Sequence, residues 1–244
     1  MDISNAVVIV TGASSGIGLA TARLLGAQGA RVVLAARSAD TLAQVAAELP
    51  DALAIPTDMS DVAAIQHMVA AAQAQYGRVD VLINNAGRGL HVPIEELNLD
   101  QYRQLVDLNL VGVLAAMQAV IPIMRAQGGG VIINISSGLS KMLVPGVAPY
   151  ASTKYALNAL TLTARHELAR DNIRVGVMYP GVTATNFAQN VIARSANAGS
   201  SGMQAETAEQ VAVKIAEAIT TEAAETYADS LAAFAPRPAG QSPA

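Results

Sequence analysis

The chain has 244 residues, 52% of them hydrophobic, with no cysteine and a formal net charge of −4. That length suits one α/β domain better than two, and the apolar content allows a large core. Without cysteine there is no disulfide or thiolate metal site, and mild acidity without a basic block argues against a nucleic-acid partner.

The first residues, Met1 to Asn5, lack the basic region of a signal peptide, so a cytoplasmic location is expected. Residues 6–10, Ala-Val-Val-Ile-Val, read as a buried strand. Thr11-Gly12-Ala13-Ser14-Ser15-Gly16-Ile17-Gly18 follows at once, and then a helix begins. Glycines let a backbone turn tightly and approach a ligand closely. The helix start adds unpaired N–H groups and a positive dipole end, which suit a pyrophosphate. The spacing is Gly-x-x-x-Gly-x-Gly, not the Gly-x-Gly-x-x-Gly of the standard dinucleotide fingerprint.

The second strand, Arg31 to Ala36, ends in Arg37-Ser38. A carboxylate there would bind a ribose 2′-hydroxyl and select NAD. None is present between Arg31 and Ala39. Arg37 and Ser38 can instead hold a 2′-phosphate through charge-assisted bonds, which points to NADP(H) over NAD(H).

Further strands are expected over 53–57, 80–84, 130–135, 173–179 and, more weakly, 225–228. Helices are expected over 17–28, 40–48, 61–75, 100–125, 150–169 and 207–221. This alternation predicts a Rossmann-type, doubly wound parallel sheet of about seven strands with helices on both faces. The domain is expected to span 1–234, with 235–244 a frayed tail and 186–204 mobile. The apolar stretch Leu105 to Met124 holds Asp107, Asn109, Gln118 and Pro122, so it reads as a buried helix and not a membrane span. Gly12, Arg37, Asp58, Asn84, Ser137 and Pro180 each fall at or just after a strand end, where ligands bind in such sheets. His67, His91 and His166 show no metal-ligand spacing, and no metal is expected.

Tyr150-Ala-Ser-Thr-Lys154 carries the chemistry. A tyrosine has a reference pKa of ~10. A lysine four residues on shares its helix face, and its charge favours the phenolate. Two charges ~4 Å apart interact by ~1 kcal/mol in water but by ~4 kcal/mol at an effective dielectric of 20. Lys154 is therefore expected to bring Tyr150 toward neutrality in a partly dry site, poised to exchange a proton with a carbonyl or alcohol oxygen. Ser137 stands thirteen positions before Tyr150.

Taken together, Thr11 to Gly18, Asn84-Asn85-Ala86-Gly87, Asn109, Ser137 with Tyr150 and Lys154, and Pro180-Gly181 with Thr185 resemble the short-chain dehydrogenase/reductase family of compact, single-domain type. The resemblance covers nearly the whole chain. It implies that Tyr150 is the general acid or base, that Lys154 lowers its pKa and holds the nicotinamide ribose, and that Ser137 polarises the substrate oxygen. It implies a proton relay through Asn109. For the cofactor it implies the glycine turn (Gly12, Ser14, Ser15, Gly16, Ile17, Gly18), Arg37 and Ser38, Asp58 and Met59 at the adenine, Asn84 to Gly87 on the adenosine side and bracing the sheet, and Pro180, Gly181, Val182 and Thr185 at the carboxamide. Asp58 has a second reading as a helix cap near Ser60. Ser136, Tyr155 and Tyr179 are rivals that the spacing disfavours.

The activity implied is NADP(H)-dependent interconversion of a carbonyl and an alcohol. A nicotinamide-using lyase or epimerase, and a non-catalytic cofactor-sensing protein, remain alternatives. A substrate pocket is expected between Arg88 to Val92, Ser140 to Val147, Tyr179 and the segment after Thr185. Its apolar members suit a hydrophobic small-molecule ketone or aldehyde, and His91 is the polar side chain that either reads the substrate or points to solvent. A homodimer through 100–125 and 150–169 is expected ahead of a homotetramer.

Overall fold

The computed structural model describes residues 1–195 and 205–235. Seven strands form one parallel sheet: β1 (Val7–Thr11), β2 (Arg31–Ala36), β3 (Ala52–Pro56), β4 (Val81–Asn84), β5 (Gly130–Ile135), β6 (Ile173–Tyr179) and β7 (Glu225–Tyr227). Their order in space is β3-β2-β1-β4-β5-β6-β7. The chain winds outward from β1 to β3, returns to the middle with β4, and then winds the other way. The reversal between β1 and β4 opens the crevice in which ligands of such sheets bind.

Helices α1 (Gly16–Ala27), α2 (Ala39–Glu48) and α7 (Ala208–Thr221) cover one face. Helices α3 (Val62–Tyr76), α5 (Gly112–Ala126) and α6 (Ala148–Leu168) cover the other. The strands are apolar along their whole length because both faces are covered, and successive side chains feed opposite cores. In β1, Val8 and Val10 pack toward Leu25, Leu42 and Ile215, while Val7 and Ile9 pack toward Ile65, Val120 and Leu157. The doubly wound fold read from the sequence is the fold observed.

The single helix expected over 100–125 is three pieces in line. Helix α4 (Leu99–Val106) runs into a π-helical turn (Asp107–Val111) and then α5. At the junction the Gly112 N–H reaches back five residues to the Asp107 carbonyl. Gly112 also meets the Met59 carbonyl oxygen so closely that a Cβ would collide with it. Apolar periodicity does not register one extra residue in a turn, so the sequence reads this stretch as continuous.

Residues 186–204 were expected to be mobile on their small, polar composition. Residues 186–195 are instead held in place by backbone pairing. A 3₁₀ turn (Asn186–Gln189) leads into a short ribbon with residues 89–91. In it His91 N–H donates to Ala193 O at 2.9 Å, Ile192 N–H to Gly89 O at 2.8 Å and Ser195 N–H to His91 O at 2.8 Å. Residues 196–204, and 236–244 of the expected tail, lie outside the described residues.

Candidate active site

The carboxyl ends of the strands open into one cavity of about 1070 Å³. At its nucleotide end, Gly12 (φ 68°) and Gly16 (φ 53°) adopt left-handed conformations that side chains disfavour. Ser15 is the N-cap of α1, but its side chain makes no cap bond, and the first turn carries no acid. The leading N–H groups of α1 thus face the cavity as an anion site. The turn is pinned from β4: Thr11 Oγ1 accepts from the Asn85 and Ala86 N–H groups, each at 3.0 Å, and Asn85 Nδ2 donates to Thr11 O at 2.9 Å. Sequence reasoning assigned Thr11 no task of its own, although it heads the glycine motif.

Arg37 is exposed at the end of β2 and makes no ion pair among the described residues. Ser38 caps α2 by position, yet its hydroxyl makes no cap bond. Both are therefore free to meet a phosphate. Asp58 Oδ1 accepts from the Ser60 N–H at 2.9 Å and the Ser60 hydroxyl at 2.7 Å. These bonds, with a smaller contribution from Arg37, hold its carboxyl below the usual range. The capping of α3 belongs to Asp61, which accepts from Ala63 and Ala64, so the reading of Asp58 as the helix cap is set aside.

At the other end, Tyr150 lies in the first turn of α6 and Lys154 one turn on, both buried. Lys154 Nζ donates to the Ile135 carbonyl at 2.8 Å and lies 5.9 Å from the Tyr150 ring centroid. Burial pushes Tyr150 up to about 12, opposed in part by a hydrogen bond with Ser137, and brings Lys154 down to about 8. This corrects the expectation that the lysine brings the tyrosine toward neutrality. In the chain by itself, desolvation of the phenolate outweighs the distant ammonium.

Ser137 lies just past β5 and caps the next turn, its Oγ accepting from the Leu139 N–H at 3.1 Å. Ser136 is spent elsewhere, its hydroxyl donating to Asn158 Oδ1 at 2.6 Å. Tyr155 is exposed, and Tyr179 is buried against Tyr227 and donates to Glu225 at 2.7 Å. Tyr179 was expected to wall the substrate pocket, but its place is in the β6–β7 core. Leu90, buried, and Leu143, 92% exposed, also lie off the cavity, whereas Met142, Val144 and Val147 line it.

Of the residues singled out from the sequence for chemistry or cofactor, all but Gly18, Asn84 and Asn109 line the cavity. Gly18 lies behind the turn, where a Cβ would collide with the Gly12 carbonyl, so its task is close packing rather than contact. Asn109 is fully buried on the π turn. Its Oδ1 accepts from Arg88 N–H at 3.1 Å, and its Nδ2 donates to Arg88 O at 3.0 Å and Thr153 Oγ1 at 3.2 Å. Asn84 likewise braces the sheet, donating to Asn134 Oδ1 at 2.9 Å. Phe187, Asn190, Ile192 and Arg194 line the cavity too, as expected of the segment after Thr185, though none was named from the sequence. No local motif marks them, because only the pairing of 192–195 with 89–91 brings them in.

A parallel sheet with a glycine turn suited to an anion at its reversal, and a buried Tyr-Lys pair with half-buried Ser137 in the same cavity, defines a nucleotide-binding α/β protein with acid–base equipment. Residues 6–196 match the family described as short chain dehydrogenase. An uncharacterized oxidoreductase of Staphylococcus saprophyticus is 38% identical over 194 residues, covering 78% of this chain and 79% of that protein. Among solved structures, a 3-ketoacyl-(acyl-carrier-protein) reductase from Brucella melitensis complexed with NADH superposes with a TM-score of 0.82 at 27% identity, over 93% of this chain and 99% of that one. An alcohol dehydrogenase from the archaeon Thermococcus sibiricus, complexed with 5-hydroxy-NADP, gives 0.76 at 29% identity, over 86% and 88%. The chain belongs to the short-chain dehydrogenase family of oxidoreductases.

Proposed function

We propose that this protein is an NADP(H)-dependent oxidoreductase that interconverts a ketone or aldehyde with its alcohol. The observation that carries this reading is the convergence of Tyr150, Lys154 and Ser137 on the cavity that also holds the glycine turn and Arg37. A nicotinamide cofactor fits the residues present. The first-turn N–H groups of α1 suit its pyrophosphate, and Arg37 with Ser38 suits a 2′-phosphate. The absence of any acid between Arg31 and Ala39 favours NADP(H) over NAD(H). When bound, the reduced nicotinamide supplies the hydride that the carbonyl carbon takes.

The chain's own residues handle the oxygen. Ser137 donates a hydrogen bond to the substrate oxygen and polarises the carbonyl. Tyr150 gives that oxygen its proton in reduction and takes it back in oxidation. Lys154 supplies the positive charge that offsets the phenolate left behind. Its Nζ donates to the Ile135 carbonyl at the end of β5, and Asn109 donates to Thr153, the residue before it on α6. Gly87 leaves the space between them open, since a Cβ there would stand 3.2 Å from Asn109 Oδ1 and 3.8 Å from Lys154 Nζ. The direct test is oxidation of NADPH and NADH, followed by absorbance, against a panel of hydrophobic ketones, aldehydes and oxo esters. Turnover with NADPH preferred is expected. Tight cofactor binding with no turnover on any carbonyl would overturn the reading.

A further inference from the structure

The loop after β6 rests on a brace that the proposed chemistry does not use. A hydride donor whose pyrophosphate sits at the glycine turn has to reach a carbonyl held by Ser137 and Tyr150, so its nicotinamide half runs from one to the other. Residues 180–185 span the same distance. At one end Thr185 packs on the glycine turn, since a Cβ on Gly16 would stand 3.1 Å from Thr185 Cγ2. At the other, Gly138 of the Ser137 turn donates its N–H to Pro180 O at 2.9 Å. Pro180, Gly181, Val182, Thr183 and Thr185 all line the cavity.

Glu206 stands behind this loop and does not line the cavity. Its N–H donates to Val182 O and its carbonyl accepts from the Ala184 N–H, both at 2.8 Å. Its carboxylate reaches further, Oε1 accepting from the Ser230 N–H at 2.8 Å. Oε2 is buried with no partner among the described residues. A Cβ on Gly181 would collide with Ser230 Oγ and stand 3.4 Å from Glu206 Oε2, so the loop lies directly against both residues. A carboxylate oxygen buried unpaired works against stability, so the stability it lends is not what explains Glu206.

Both supports are fixed. Thr207 caps α7 in a reciprocal capping box with Gln210, and Ala208 and Ala212 of α7 pack with Ala20 of α1. Ser230 belongs to a 3₁₀ turn (Asp229–Phe234) whose Leu231 is fully buried with Val177 and Tyr179. Leu231 also backs the Ser137 turn, since a Cβ on Gly138 would come within 2.9 Å of Leu231 Cδ1. One turn of chain therefore touches the loop at Gly181 and the serine turn at Gly138.

We infer that Glu206 is a positioning residue for the cofactor. By tying residues 180–185 to the Asp229–Phe234 turn, it sets the nicotinamide half against Ser137 and Tyr150 and leaves the adenosine half untouched. The inference rests on the nicotinamide-cofactor reading proposed above.

The test is equilibrium binding of the whole cofactor, NADPH or NADH as the wild type prefers, beside its adenosine fragment, 2′,5′-ADP or ADP. The fragment fills the adenosine end and lacks the nicotinamide. Glu206→Ala removes the acceptor for the Ser230 N–H, so affinity for the whole cofactor should fall by ~10-fold while affinity for the fragment holds. Its kcat for carbonyl reduction should fall too, because a displaced ring is less well aligned. Glu206→Gln keeps the acceptor and should recover most of both losses. Should Glu206→Ala not fold, Glu206→Asp, which draws the carboxylate back by one methylene, carries the same prediction. Whole-cofactor affinity unchanged in these variants, or an equal loss for cofactor and fragment, would overturn the inference and leave the cofactor reading intact. A wild type that binds neither NADPH nor NADH would sink both.

Discussion

The two ends of the cavity are built in different ways. The nucleotide end is made by residues close together in sequence, Thr11 to Gly18, and braced by Asn85 and Ala86 at the neighbouring strand end. Its working parts are backbone N–H groups and glycines that leave room for them. The substrate end is made by side chains far apart in sequence. His91 meets Arg194, and Tyr150 meets Phe187. The contrast follows from what each end must bind. A pyrophosphate can be held by main-chain donors, whereas a particular substrate must be read by side chains.

The largest expected effect lies where the two ends meet. Tyr150→Phe removes the proton donor and keeps the ring, so turnover should fall by roughly 10²–10⁴-fold with cofactor affinity nearly intact. Steady-state kinetics beside a cofactor titration checks this, and retained turnover would break the assignment. Next is Gly18→Val, which drives a side chain into the Gly12 carbonyl and Asn85. Overpacking of this kind costs about 1–3 kcal/mol. Both the melting temperature and cofactor affinity should fall, because the turn must open to admit the side chain. Unchanged cofactor affinity would show that the glycine turn does not shape the site.

Arg37→Asp should weaken NADPH binding by ~10- to 100-fold and NADH binding far less, read by fluorescence titration. Equal losses would place the 2′-phosphate elsewhere. The smallest expected effect is in the pH profile. Lys154 is charged below about 8 and neutral above it, while Tyr150 keeps its proton up to about 12. Carbonyl reduction should therefore decline as pH rises through about 8, as the ammonium and not the proton donor is lost. Lys154→Met, with no group to titrate, should react slowly and show no such limb. A wild-type profile flat to pH 10 would break this assignment of the limb to Lys154.

Much of this molecule was legible in one dimension. All seven strands were expected within a residue of their ends, because a parallel sheet covered on both faces demands short, continuous apolar runs. Ser137 was separable from Ser136 by spacing, and the structure gives a physical reason to set Ser136 aside, since it is committed to Asn158. Tyr179 was misplaced because an aromatic at a strand end looks the same whether it faces the cavity or the Glu225 carboxylate.

By itself the sequence determined the winding of the sheet, the glycine turn, the basic residue after β2 and the Tyr-Ser-Lys set, since each depends on local spacing or on apolar periodicity. Only the tertiary structure decided the protonation balance of Tyr150 and Lys154, because desolvation depends on everything packed around a charge. It alone decided the π turn beneath Asn109, through the contact of Gly112 with Met59. It also decided that the His91 ring stands edge-on to Tyr150 and meets Arg194, because that guanidinium arrives from another part of the chain.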